Sequence, residues 1–591
     1  MSAQCESTPV GSQPLKAQDE LRAIGYLPDN QNLPLGDAVP VSNEIGAGQL
    51  HDNSYPEMQN VLRILPPKPY TDILVQQFLE VTNFNYYCLY PPIFSADYAT
   101  WWTDRANSKA VTPEFTCLLI RVCACSAQYL DADNTQKLET ELGESVKNLS
   151  QTFHHAARQL SNTIGPGKGG ISQVHQLFLT SAWFKSEALF VESWHALSSC
   201  IHEAQEQGMH KSSAKRGLSE FDMEMRRRTW CLLNNWDWQM SMLLSRPLII
   251  NQSSSAIELP NMQLESEIEG PPSPVSHTAS QYQLGKMITK TSLFTEEETS
   301  PEEADSIRST INNWLDSLPP AYRETEPDLK WDETHAYIPF QRRQMHTIAY
   351  MTMLQPFKRF LTKTYDTKST EKDRAYRAIA VDIALHLMKV SQRLFDQVFP
   401  LNAKFHIVAF LLFDTAAFLC SAIIHDQDRS LPRHDEVLSA IAVACSLLQK
   451  LAQTTKAGAV CYPILTRLAG SLSRSSKPFP LINTSNQNFG KFEPIDNSST
   501  PPDLEVPSLD DITPPISWPS ALDCLDSTDV FFPASIDYPV PDMETPPLMD
   551  TFDFSNLDIG QFDQIWDWQN LDLALLPSMS ANMPTDGPGK A

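Results

Sequence analysis

Residues 300–320 read SPEEADSIRSTINNWLDSLPP, and they settle the type of structure to expect. Ser300 is a good N-cap, Pro301 suits the first helical position, and Glu303 stands where it would complete a capping box. Ile307, Ile311, Trp314, Leu315 and Leu318 follow on one face of a 3.6-residue period, and Pro319-Pro320 stops the helix. The same logic extends outward. From Thr71 to Tyr90, Leu74, Phe78 and Val81 share a stripe expected to end at Pro91-Pro92. Residues 171–208 read as almost continuous helix closing on Gly208, a residue suited to a left-handed C-cap. Later helices are expected at about 336–364, 371–398, 403–424 and 435–454. Strand-type alternation is almost absent. The expected fold class is all-α: a large multi-helix regulatory domain over residues 61–475. A polar segment, 1–60, precedes it and an acidic, proline-rich tail, 476–591, follows; both are expected to be disordered.

Composition agrees. The 591 residues include only 20 glycines, where average usage gives roughly 40, but 44 prolines. Doubly wound sheets, with their glycine-dependent turns and phosphate loops, are disfavoured. The net charge of −26 is uneven: residues 481–591 hold 19 acidic and 2 basic residues, and 492–589 hold no Lys or Arg. An acidic chain gains nothing from counterion release on DNA. The eleven cysteines fall mostly within apolar helical patterns, as small buried hydrophobes do in a reducing compartment. No apolar leader is evident at the start. Residues 407–424, IVAFLLFDTAAFLCSAII, are long enough for a membrane span, but Asp414 near the middle would cost about 2.5–3.5 kcal/mol there. A buried helix is expected instead, and no membrane partner.

Catalytic and metal motifs are wanting. GPGKGG at 165–170 lacks phosphate-loop spacing and reads as a helix–helix linker. Cys123-Ala124-Cys125 has the wrong spacing for a zinc knuckle, and the adjacent His154 and His155 face different sides of a helix. No catalytic residue, metal ligand or cofactor site is expected.

Several stretches together resemble the middle homology region of the fungal zinc-cluster transcription factors. IHEAQEQGMHK, residues 201–211, is similar to that family's helix ending in a Gly-Leu-His turn, with Gly208-Met209-His210 in its place. In LSEFDMEMRRRTWCLLNNWDWQMSMLLSRPLII, residues 218–250, Glu224, Arg226, Arg227, Arg228, Trp230 and Asp237 match its acidic, basic, aromatic and Asp-centred pattern. Arg246 and Pro247 close it, with Ser245 where the family has glycine, a change expected to cost a close helix contact. FLEVTNFNYYCLYPPIF (78–94), INNWLDSLPP (311–320) and FDTAAFLCSAIIHD (413–426) are of the same type, and the resemblance covers roughly 70–470. It implies an all-helical regulatory body, a nuclear location, dimerisation with itself or another transcription factor, and a small-molecule inducer. The three arginines could be an import signal or touch phosphate. The structural reading is favoured: they point in three directions on a helix, and Arg227 can pair with Glu224. The tryptophan-rich helix could line an aromatic pocket, but core packing is the better expectation.

The family's zinc cluster needs six cysteines, and before residue 88 there is only Cys5. Contact with promoter DNA is therefore expected to be indirect or weak, through a partner or a module outside this sequence. The tail supplies a different feature. Phe552, Phe554, Leu557, Phe562, Ile565, Trp566, Trp568, Leu571 and Leu573 are interleaved with aspartates. Negative charge between bulky apolar groups resists their collapse, which is the composition of activation domains that dock on coactivators. The expectation is a non-enzymatic transcription regulator, an activator of a metabolic or secondary-metabolite gene cluster. A helical scaffold or corepressor binding another regulator is the alternative.

Overall fold

The computed structural model describes residues 56–211, 217–252, 258–265, 270–294, 299–405 and 407–472. The tail residues Phe552 to Leu573 lie outside the described residues. Among those described, the elements are helices without a β-strand; a single isolated bridge joins Tyr365 to Asp426. The fold is all-α.

In chain order the helices are α1 (Pro56–Ile64), α2 (Lys68–Glu80), α3 (Pro91–Ala106), α4 (Pro113–Ser126), α5 (Ala132–Leu142) and α6 (Val146–Ser161). There follow α7 (Gly170–Ser186), α8 (Phe190–Glu206), α9 (Glu220–Leu244), α10 (Ser276–Ile288) and α11 (Pro301–Asp316). The last are α12 (Tyr337–Leu354), α13 (Lys358–Thr362), α14 (Glu371–Val398), α15 (Ile407–Ile424), α16 (His434–Ala452) and α17 (Lys456–Leu472). In the first half α4 packs on α6 and α7, and α7 pairs with α8. In the second half α15 is enclosed by α13, α14, α16 and α17. α9 and α10 lie together, with α9 also against α8.

Local chemistry explains most boundaries. Ser300 caps α11 by accepting the Glu303 N–H at 3.1 Å. Only that half of the expected capping box forms, because the Glu303 carboxylate turns away to accept the Ser292 N–H at 2.9 Å. Ile307, Ile311, Trp314 and Leu318 are buried on the predicted face. The structure corrects three expectations. The helix expected to end at Pro91-Pro92 stops at Glu80, and Pro91 instead opens α3, since a first-turn proline has no N–H to leave unsatisfied. Residues 171–208 are two helices, broken where Ala188 adopts φ 59° and the Leu189 N–H returns to the Phe184 carbonyl at 2.9 Å. No glycine marks that turn, so the break left no sign in the sequence. Helical structure also begins at Pro56, inside the segment expected to be disordered, with Met58 and Val61 buried.

α15 is the one helix among the described residues long and apolar enough to cross a membrane, and 89% of it is buried by its neighbours. Asp414 at its centre pairs with Lys358 of α13 at 2.8 Å. The apolar run is thus a core helix whose single charge is neutralised from the side, as a buried carboxylate requires.

Candidate functional site

α9 carries the motif residues, and its first turn is strongly fixed. Ser219 accepts the Asp222 N–H at 3.0 Å while the Asp222 carboxylate receives the Ser219 N–H, a full capping box. From there the three arginines diverge. Arg226 donates to the Gln207 carbonyl at 2.9 Å, tying α9 to the turn that ends α8. In that turn Gly208 has φ 67°, and the His210 ring lies 5.8 Å from Trp230. Tertiary packing thus brings together Gly208, His210, Arg226 and Trp230. Gly208 is needed for its left-handed backbone, which turns the chain so that the Met209 N–H reaches the Ala204 carbonyl at 3.0 Å.

Arg227 and Arg228 face the loop after α9. Arg227 bonds Glu224 and reaches Glu258 at 3.1 Å. Arg228, 6% exposed, donates Nε to Glu224 at 2.8 Å, Nη2 to the Asn261 carbonyl at 2.8 Å, and both Nη groups to Glu265, Nη2 at 3.0 Å. Glu224 in turn accepts the Asn261 N–H at 2.7 Å. Burial opposes the Arg228 charge, but its hydrogen bonds to Glu265 and Glu224 outweigh this and hold its pKa above the ordinary value. All three guanidinium groups are therefore engaged by protein acceptors rather than aligned along one exposed face for phosphate.

Asp237 lies about five turns into α9, away from this cluster. It accepts the N–H of Ile249 at 3.1 Å and of Ile250 at 2.8 Å, holding the strap after Pro247 onto the helix. Burial raises its pKa to about 6 against those hydrogen bonds. Ser245 ends α9 at φ 51°. A glycine there would relieve left-handed strain of about 1–2 kcal/mol; the position demands it for backbone reasons, not for a close helix contact as the sequence suggested. Arg246 stacks 5.9 Å from the Trp194 ring, and the Pro247 carbonyl accepts from Ser241 at 3.1 Å. Ser245, Arg246 and Pro247 also line a groove of about 740 Å³ with Arg359 on its far wall.

A second, more apolar cleft of about 330 Å³ opens beside the start of α9, lined by Tyr90, Phe94, Phe115, Phe221 and Met225, with Asp97, Asp222 and Arg226 as charged groups. His175 at its base is bonded to Thr229 of α9 at 3.0 Å, and burial pushes its pKa down to about 4, so it is neutral. Among the described residues no cluster of three or more His, Cys, Asp or Glu could hold a metal. Cys123 and Cys125 are separately buried thiols with pKa raised by desolvation.

Residues 75–316, from α2 through α11, match the profile of the fungal specific transcription factor domain. The chain carries this domain. It is 25% identical over 396 residues to the probable transcription factor sol4 of Alternaria solani, covering 63% of this chain and 69% of that protein. It is 23% identical over 353 residues to the transcription factor xilB of Penicillium rubens, covering 57% and 51%. It is 21% identical over 359 residues to the equisetin cluster transcription factor eqxF of Fusarium heterosporum, covering 58% and 51%. The chain thus spans about half the length of two of these relatives. Regulation of transcription, not catalysis, is what the matching domain and the relatives share. The motif arginines fall within the matched span. The loop carboxylates that engage them, Glu258 and Glu265, had no signal in the sequence: Glu265 lies 37 residues beyond Arg228.

Proposed function

We propose that this chain is a nuclear transcriptional activator of a metabolic or secondary-metabolite gene cluster in a fungus. The helical body is the regulatory part and the acidic tail recruits a coactivator. DNA is reached through a partner transcription factor or through residues outside this sequence. One observation carries the reading: a fungal specific transcription factor domain shares its chain with aromatic groups spaced by aspartate over residues 545–577. The relative named for the equisetin cluster supports the gene-cluster part. The apolar cleft beside α9 falls within the usual size range of small-molecule pockets and suits an inducer.

The test fuses residues 485–591 to a heterologous DNA-binding domain. The fusion activates a reporter, and changing Phe562, Trp566 and Trp568 together to Ala removes most of that activity. A silent fusion sinks the activator reading and favours a corepressor or scaffold. Deleting the gene lowers transcripts of a contiguous set of biosynthetic genes; an unchanged transcriptome removes the gene-cluster part.

A further inference from the structure

The cleft beside α9 has an aromatic body, one bare acceptor at its base and an acidic rim, and each part limits what can occupy it. Thr229 fixes the acceptor. Its Oγ1 donates its only proton to the Met225 carbonyl at 2.8 Å, so towards His175 Nε2, 3.0 Å away, it can only accept. Nε2 therefore carries the ring proton. Because the ring is neutral, Nδ1 holds a bare lone pair. His175 lines the cleft at 9% exposure, yet Nδ1 is not one of the sealed polar atoms of the core, and no protein group among the described residues reaches it. Water can satisfy an open acceptor of this kind. A molecule that fills the cleft displaces that water and must bring a donor of its own.

The walls and rim set the rest of the chemistry. Four rings, Tyr90, Phe94, Phe115 and Phe221, line a space of about 330 Å³, with Met225 as a pliable filler. That lining suits a flat aromatic body. Asp97 and Asp222, both exposed, share the cleft with a single guanidinium among its described lining residues, Arg226, whose Nη1 is already given to the Gln207 carbonyl. Two carboxylates against one guanidinium turn away carboxylates and phosphates. An ammonium would have to shed its water at a base that offers only a neutral acceptor. A neutral hydroxyl meets neither obstacle. We propose that the cleft binds a neutral aromatic molecule bearing a hydroxyl group, with that O–H donating to His175 Nδ1. The bond extends a chain from the ligand to His175, from His175 to Thr229 and from Thr229 to the Met225 carbonyl, each link polarising the next. The occupant thereby ties α3, α4 and α7 to the first turns of α9, and His175 selects a hydroxylated ring over a bare one. This rests on the cleft being the inducer site.

The experiment titrates the purified full chain with 2-naphthol, 2-methoxynaphthalene, 2-naphthoate and 2-naphthylmethylamine, which share their fused rings and differ in the polar group. Calorimetry reads affinity, and hydrogen exchange followed by mass spectrometry reads the amides of residues 220–232. 2-Naphthol binds and slows that exchange. 2-Methoxynaphthalene keeps the oxygen but has no proton to give, and binds at least about fivefold more weakly although it is the more apolar molecule. The acid and the amine also bind more weakly than 2-naphthol. His175→Phe removes the acceptor and brings the naphthol preference below about twofold. His175→Gln, whose amide N–H can reach Thr229 while its oxygen takes the place of Nδ1, keeps most of that preference. If His175→Phe does not fold, the preference shown by the native chain carries the test. Equal or tighter binding of 2-methoxynaphthalene, or tightest binding of the acid or the amine, overturns the hydroxyl class and leaves the cleft its role as an inducer site. A preference unchanged in His175→Phe also overturns the proposal, because the hydroxyl then lies elsewhere. No binding by any of the probes overturns the proposal and the inducer reading together; the activator reading is decided separately by the reporter fusion.

Discussion

Replacing Arg228 with Met removes the guanidinium that joins α9 to the following loop while keeping much of its length. In the native fold it faces two carboxylates, Glu224 and Glu265, whose side chains are 8% and 11% exposed. The loss falls unequally. Glu224 keeps Arg227 and the Asn261 N–H at 2.7 Å. Glu265 is left with Ser273 Oγ at 2.9 Å among the described residues. Breaking a buried ion pair from one side costs about 3–5 kcal/mol, because the surviving charge is desolvated without compensation. Glu265 retains some water contact, so the lower end, about 3 kcal/mol, is expected. Urea unfolding followed by far-UV circular dichroism measures it. The double variant Arg228→Met, Glu265→Gln removes the stranded charge and recovers about 1–3 kcal/mol. By contrast Arg433→Met, which breaks an exposed pair with Asp382 and Glu436, costs less than about 1 kcal/mol. If Arg228→Met lost less than about 1 kcal/mol, or Glu265→Gln recovered nothing in its presence, the argument that this network is a buried structural clamp would be wrong.

Two pH effects follow from buried charges. Glu187 sits at the α7–α8 break; burial opposes its ionisation, but Lys404 at 2.6 Å and Lys456 at 2.9 Å outweigh this and hold its pKa at about 2. A depressed carboxylate pKa stabilises the fold above the unfolded value near 4.5 and loses that contribution as pH falls towards 2. Glu187→Gln should therefore be less stable by about 3 kcal/mol at pH 7 and show a flatter acid limb between pH 4.5 and 2, read from urea midpoints. Lys185, 4% exposed, lies 4.1 Å over the Trp236 ring, and burial lowers its pKa to about 7. Its depressed pKa means that stability falls as pH drops from 10.5 to 7 and levels off below 7, where folded and unfolded states both carry the proton. Lys185→Met should be more stable than the native chain at pH 6 by roughly 1–4 kcal/mol, with the advantage vanishing by pH 10.5; equal stability at pH 6 would contradict it.

Much of the fold was legible because helices advertise themselves locally. Ser300-Pro301 and the spacing of Ile307, Ile311 and Trp314 specify α11 from within twenty residues, and Asp414 inside an apolar run is a mark of paired burial. At Ala188 the chain turns on backbone hydrogen bonds with no glycine to mark it, and a proline pair suits either the end of one helix or the start of the next, so propensity alone read one helix for two and a stop for a start. The motif arginines were visible as residue types, but their partners were not: Gln207 is 19 residues before Arg226 and Glu265 is 37 after Arg228.

By itself the sequence determined that this protein is built of helices, since apolar spacing, caps and prolines act over one or two turns. It also determined where charge and aromatic groups accumulate along the tail. Only tertiary structure decided which buried charges are matched and which are not. Arg228 meets Glu224 from its own helix and Glu265 brought by a distant loop, while Arg121 meets only a neutral histidine. Charge neutrality inside a core is a property of residues far apart in sequence, and it exists only once the helices have packed.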